Sequence, residues 1–210
     1  MAAMAMLAVG GTARAEASVD MANGKQLFEL CQSCHGREGH GNRVYLAPAI
    51  AGFDRWYLEM QLQEFRTGVR GLHFDDLAGM RMRPMSLTLR TEQDVLDVAA
   101  YAASLPKADP RPTEAGGNAT TGKDLYTLCA ACHGPTGDGI EPMKAPALNH
   151  IDDWYLVAQL EKFKSGVRGT RPGDVYGVLM GPNSPMALTL TSDQSVRDVV
   201  AYIMTLDHKQ

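Results

Sequence analysis

The chain has 210 residues, 45% of them hydrophobic and 21% charged, with a formal net charge of −4 at pH 7. That length suits one or two small domains, no apolar run is long enough to span a bilayer, and the acidic balance lacks the basic footprint of a nucleic-acid binder. Only five Phe and two Trp are available, so a core built from two small units is expected to need volume from another source.

Residues 1–15, MAAMAMLAVGGTARA, read as an export signal with an A-x-A cleavage site and a mature chain from Glu16, although no positive charge precedes the apolar run. Met21, Leu27, Phe28 and Leu30 predict a helix over 21–33. Its end overlaps Cys31-Gln32-Ser33-Cys34-His35. A Gly- and Pro-rich loop follows and carries Pro48. Trp56, Leu58, Leu62 and Phe65 predict a helix over 55–67, with Arg70 just beyond it. A second loop carries Met82 and Met85. Thr91 then caps a helix whose apolar face is Val95, Val98, Tyr101 and Leu105. Residues 106–120, PKADPRPTEAGGNAT, have a linker composition.

Beyond the linker the chain repeats itself. GKQLFELCQSCHG at 24–36 matches GKDLYTLCAACHG at 122–134, and the 25 residues from Ala47 match those from Ala145. The offset holds at 98 residues, from Cys31 against Cys129 to Trp56 against Trp154, and rises to 101 by Met85 against Met186. The second copy therefore carries three extra residues, around GPNSP at 181–185. The same three helices are expected there, the last capped by Ser192 with Val196, Val199, Tyr202 and Leu206 as its face. No segment alternates like a half-buried strand. The expected fold class is all-α: domain 1 at 16–107, a linker at 108–119 and domain 2 at 120–210.

Cys31-x-x-Cys34-His35 and Cys129-x-x-Cys132-His133 match the signature of c-type haem attachment. Two cysteines three apart on a helical turn can reach two carbons on one porphyrin edge, and the adjacent His can then bind iron. Three other readings compete: disulfides in an exported protein, a zinc site, and thioredoxin-like redox pairs. Zinc pairs sit about 15–20 residues apart, and redox pairs need a βαβ context. None of the three explains a His after both second cysteines. The expected cofactor is haem c, two per chain and covalently bound.

Each half resembles a class I cytochrome c domain, and the pair resembles the diheme cytochrome c4 type over about residues 19–210. The resemblance implies that Gly24 and Phe28 pack against Tyr101, and Gly122 and Tyr126 against Tyr202. It implies His35 and His133 as iron ligands, each oriented by the carbonyl of Pro48 or Pro146. It implies a Met sixth ligand from the loop before the last helix. Met85 and Met186, each after a Pro and six residues before the helix cap, are preferred to Met82 and Met180. Trp56, Arg70, Trp154 and Arg168 recur in both copies and are candidate donors to haem propionates. His40, His73, His150 and His208 have no repeated partner.

With His and Met both bound, iron has no open position for substrate. The implied function is an exported, periplasmic carrier of single electrons, soluble or peripherally membrane-associated. Its implied partners are a quinol-oxidising complex and a terminal oxidase. Two other classes need an open iron or a partner chain: a diheme dehydrogenase, or its cytochrome subunit, acting on a small sulfur substrate, and a gas sensor.

Overall fold

The computed structural model describes residues 18–206; the signal assigned to 1–15, its cleavage point and His208 lie outside them. Among the described residues the regular structure is helical: α1 Met21–His35, α2 Arg55–Thr67, α3 Leu77–Ser86, α4 Glu92–Ser104, α5 Ala119–His133, α6 Asp153–Lys164, α7 Pro185–Thr189 and α8 Asp193–Ile203. There are no strands among them, only the isolated bridges Asn42–Ala47 and Ile140–Ala145.

Each half is framed by its first and last helices, α1 against α4 and α5 against α8. Local chemistry fixes where these helices start. Asp20 accepts from the backbone N–H groups of Ala22 and Asn23, and Asn118 accepts from those of Thr120 and Thr121. Thr91 with Asp94, and Ser192 with Ser195, form reciprocal capping boxes. The framing helices cross closely because a glycine lies at each contact. A Cβ on Gly24 would sit 2.2 Å from the carbonyl oxygen of Asp97, and one on Gly122 1.9 Å from that of Asp198. The ring pairs Phe28–Tyr101 and Tyr126–Tyr202 pack in a tilted arrangement beside these crossings, both with centroids 5.3 Å apart.

Val95, Val98, Val196, Val199 and Leu206 are buried as their spacing predicts. Phe28, Leu58, Phe65, Leu156 and Phe163 join them, each contributing about 1.5–3 kcal/mol by leaving water. Met21 and Leu30 are exceptions to the predicted apolar face and lie exposed.

The segments read as loops around the methionines are partly helical. Residues 77–86 form α3 with Pro84 inside it. In the second copy Gly181, Pro182 and Asn183 interrupt that path. A 3-10 turn at Gly177–Leu179 is followed by the short α7, which Ser184 caps and Pro185 opens.

The linker is strapped to both halves. The carboxylate of Asp153, at the start of α6, accepts the Glu114 N–H at 2.6 Å, the Thr113 hydroxyl at 2.7 Å and the Thr113 N–H. Arg43 of the first half donates to Glu114 at 2.6 Å and to Thr113 at 3.0 Å.

Candidate haem sites

Each Cys-x-x-Cys-His motif forms the last turn of a helix, α1 or α5. The four thiols are half-buried and unbonded to one another. Burial pushes the Cys31 and Cys129 thiols up to about 11, unlike the low-pKa thiol of a reactive redox pair. The two pairs lie in different halves, and no group of three or more His, Cys, Asp and Glu among the described residues could hold a metal ion by itself.

The loop after each motif folds back onto its histidine. Gly41 N–H donates to the carbonyl of His35 at 2.8 Å, and Ile50 N–H to that of Gly39 at 2.7 Å. Only glycine fits at position 41, where a Cβ would lie 2.6 Å from the Ala49 nitrogen. This fold-back brings the Pro48 carbonyl 2.7 Å from His35 Nδ1. The second copy repeats the arrangement, with Pro146 at 2.8 Å from His133 Nδ1. Nδ1 is thereby committed as a donor, which leaves Nε2 as the nitrogen that could bind a metal. Burial lowers the pKa of both histidines, which favours the neutral ring that a metal needs.

The recurring arginines are buried at the contact between the halves. Arg70 and Arg168 are 5% and 8% exposed. Each guanidinium lies over a phenylalanine of its own half, Phe65 or Phe163, at 4.3 Å. Arg168 donates to Gln159 at 2.7 Å and, across the contact, to Gln61 at 3.4 Å. Arg70 donates to Gln61 and, across the contact, to Gln159 at 3.4 Å. Gln61 and Gln159 were not among the predicted site residues. Their signal was a glutamine repeated at the same position of two otherwise apolar helix faces.

These residues fit haem. The Nε groups of Arg70 and Arg168 and the indole nitrogen of Trp56 are buried N–H donors without a protein acceptor. Two buried guanidinium charges call for anions beside them, and propionates are anions suited to such forks. Trp154 is half-buried like Trp56. Met186 is buried in the second core, Met180 packs against it half-buried, and Met82 and Met85 are half-buried on α3. Of the remaining histidines, His40 contacts the Pro106 carbonyl at 3.1 Å, His73 stacks on Phe74, and His150 packs on Phe53 of the other half.

Twin motifs of this kind on tandem helical halves define a diheme c-type cytochrome. A family model, Cytochrome c, matches residues 21–106 and again 119–207. Cytochrome c4 of Azotobacter vinelandii is 32% identical over 178 residues, 80% of this chain and 83% of the relative. The thiosulfate dehydrogenase electron acceptor of Stutzerimonas stutzeri is 27% identical, over 86% and 80% of the two chains. The crystal structure of reduced cytochrome c4 from Pseudomonas stutzeri superposes with a TM-score of 0.68 at 26% identity, covering 90% of this chain and 100% of that one. The chain belongs to the cytochrome c family, as a diheme member of the cytochrome c4 type. It is an electron carrier with two covalently bound haem c groups, at Cys31 and Cys34 and at Cys129 and Cys132.

Proposed function

We propose that this carrier works in the periplasm, taking single electrons from a quinol-oxidising complex and passing them towards a terminal oxidase. The repeated His–Pro carbonyl geometry carries the reading, because it prepares two equivalent iron sites in one chain. The likeness to cytochrome c4 supports it. Among the described residues no helix is long and apolar enough to cross a membrane.

Within this reading the bound haem supplies a one-electron iron couple. The chain's own residues do the rest. Cys31, Cys34, Cys129 and Cys132 anchor the cofactors, and His35 and His133 bind iron through Nε2. Met85 and Met186 give the sixth ligand, with Met82 and Met180 as the alternatives. Both preferred residues follow a proline at the same position of the repeat, and the burial of Met186 supports its inward role. Trp56, Trp154, Arg70 and Arg168 bind propionates. With a His and a Met both bound, the group would pass an electron without exchanging ligands, and the burial of His35 and His133 would limit the solvent rearrangement that accompanies transfer.

The test is the absorption spectrum of the holoprotein with a denaturing haem count. Two haems per chain, a weak far-red Met-to-iron band and no response of the reduced protein to carbon monoxide are expected. Met85→Leu and Met186→Leu each remove about half of that band, whereas Met82→Leu and Met180→Leu leave it. Ready carbon monoxide binding favours the second reading, a diheme dehydrogenase or its cytochrome subunit acting on a small sulfur substrate. The likeness to a thiosulfate dehydrogenase electron acceptor supports that reading, and reduction of the purified chain's haems by thiosulfate with no other protein present would establish its enzyme form.

A further inference from the structure

One buried carboxylate of the first half has a cation, and its copy in the second half does not. Asp76 has a side chain only 2% exposed. It accepts the Gly79 N–H at 2.9 Å and, at 2.6 Å, the ammonium of Lys162 from α6 of the other half. The residue 98 positions on is Asp174, which is 5% exposed. Its carboxylate accepts the Gly177 N–H at 2.7 Å and the Gly169 N–H at 3.1 Å, and among the described residues no basic side chain joins them. At the position equivalent to Lys162 stands Glu64, an acid whose carboxyl feels the charge of Asp174 across the contact. A buried carboxylate calls for a cation, and here the chain offers a second acid instead.

The space beside Asp174 differs from that beside Asp76 as well. In the first half Arg83 packs against Gly71, where a Cβ would lie 2.9 Å from the Arg83 Cβ. In the second half Gly181 takes that place: a Cβ on Gly169 would lie 2.7 Å from the Gly181 Cα. Gly181 has no side chain to lay there, and a 3-10 turn replaces α3. A cavity of about 390 Å³ results, lined by Asp174 together with Gly169, Arg171, Val175, Val178 and Gly181 among others. It is separate from the second haem site, because Cys129, Cys132, His133, Met180 and Met186 do not line it.

The chemistry of the lining suits one basic group. Each oxygen of Asp174 accepts one backbone N–H and keeps a lone pair. Two such oxygens side by side match the fork of a guanidinium. Arg171 also lines the cavity, so a single cation is suited to it and a run of cations is not. Val175 and Val178 are exposed apolar residues of the lining, and the neighbouring Leu179 is exposed too. A free ion would leave them in water, whereas a side chain carried on a protein surface would cover them.

We propose that this cavity is a binding site for one basic side chain, arginine above all, presented by a partner protein. The site goes beyond the carrier reading and does not depend on it.

The experiment follows the amide signals of the reduced holoprotein by NMR while N-acetylarginine amide is added. Saturable shifts at Gly169, Asp174 and Gly177 are expected, and the neutral analogue N-acetylcitrulline amide should bind about tenfold more weakly or worse. Acetyl-Leu-Arg-Leu-amide should bind about threefold tighter than the capped arginine or better, since its leucines can cover the apolar lining. Asp174→Asn should weaken the capped arginine by about tenfold. Glu64→Lys should do the same with Asp174 intact, by giving it the internal ammonium that Asp76 has, and it decides the matter where Asp174→Asn does not fold. Equal binding of arginine and citrulline, shifts confined to other surfaces, or full affinity in Glu64→Lys overturns the site. A tripeptide no tighter than the capped arginine overturns the protein-borne part. The haem count and absorption spectrum of the same samples report on the carrier reading, and neither is expected to change.

Discussion

A methyl group at Gly24 would overlap the carbonyl oxygen of Asp97, and a backbone oxygen in mid-helix cannot step aside. Gly24→Ala is therefore expected to destabilise the holoprotein by about 1–3 kcal/mol, read as a lower guanidinium midpoint with an unchanged slope. A matching loss in Gly122→Ala would show that both crossings depend on the missing carbon. The side chain of Asp97 works at the same place. It accepts from the Asp20 N–H at 2.9 Å, the Asn23 amide at 2.8 Å and Gln93 at 2.7 Å. Burial alone would raise its pKa, but these donors outweigh burial and hold the carboxyl below the usual range. Its contribution to stability is complete above about pH 4, the ordinary aspartate value, and is lost as the pH falls through the lower folded-state value. Acid titration of Asp97→Asn should show a shallower fall in stability below about pH 4 than the parent.

The elements show which features were legible in the sequence. α1, α2 and α4 and their copies were readable because apolar residues recur at helical spacing and Asp, Asn, Thr or Ser stands at most of the starts. α3 was not, since it exposes Leu77 and Met80 and contains Pro84, so neither periodicity nor propensity announces a helix. α7 carried a start signal, Ser184 before Pro185, but only five residues follow. At the sites, the Cys-x-x-Cys-His motifs were readable from their spacing, and the proline carbonyls only through the family resemblance. The interlocked Gln61, Arg70, Gln159 and Arg168 were only half readable. Arginine is rarely this buried, and contacts between halves 98 residues apart leave no spacing signal. The capping boxes give an element-level test: Thr91→Ala should cost about 1 kcal/mol and Thr91→Ser almost nothing, measured by chemical denaturation.

For the whole molecule, the contact between the halves includes buried charges, Lys162 with Asp76 and the two guanidiniums of Arg70 and Arg168. Asp76 meets burial, which raises its pKa, and then the ammonium of Lys162 and the Gly79 N–H, which together hold it below the ordinary value. That pairing stabilises the contact fully above about pH 4 and fails as the pH drops through the folded-state value. Small-angle scattering of the holoprotein should therefore show the halves loosening below about pH 4, and Asp76→Asn should show it already at neutral pH.

The strap at Thr113 and Glu114 has a consequence for a broken chain. Ala115 and Gly116 are exposed just beyond it, so a protease cut there would leave residues 105–114 as an arm on the first fragment. That arm would still clasp the carboxylate of Asp153 on the second. The cut would turn a permanent tether into a reversible one, with a local concentration replaced by the concentration in the tube. The nicked protein should run as one particle when concentrated and as two when diluted, and the dilution at which it parts would weigh the clasp and the contact together.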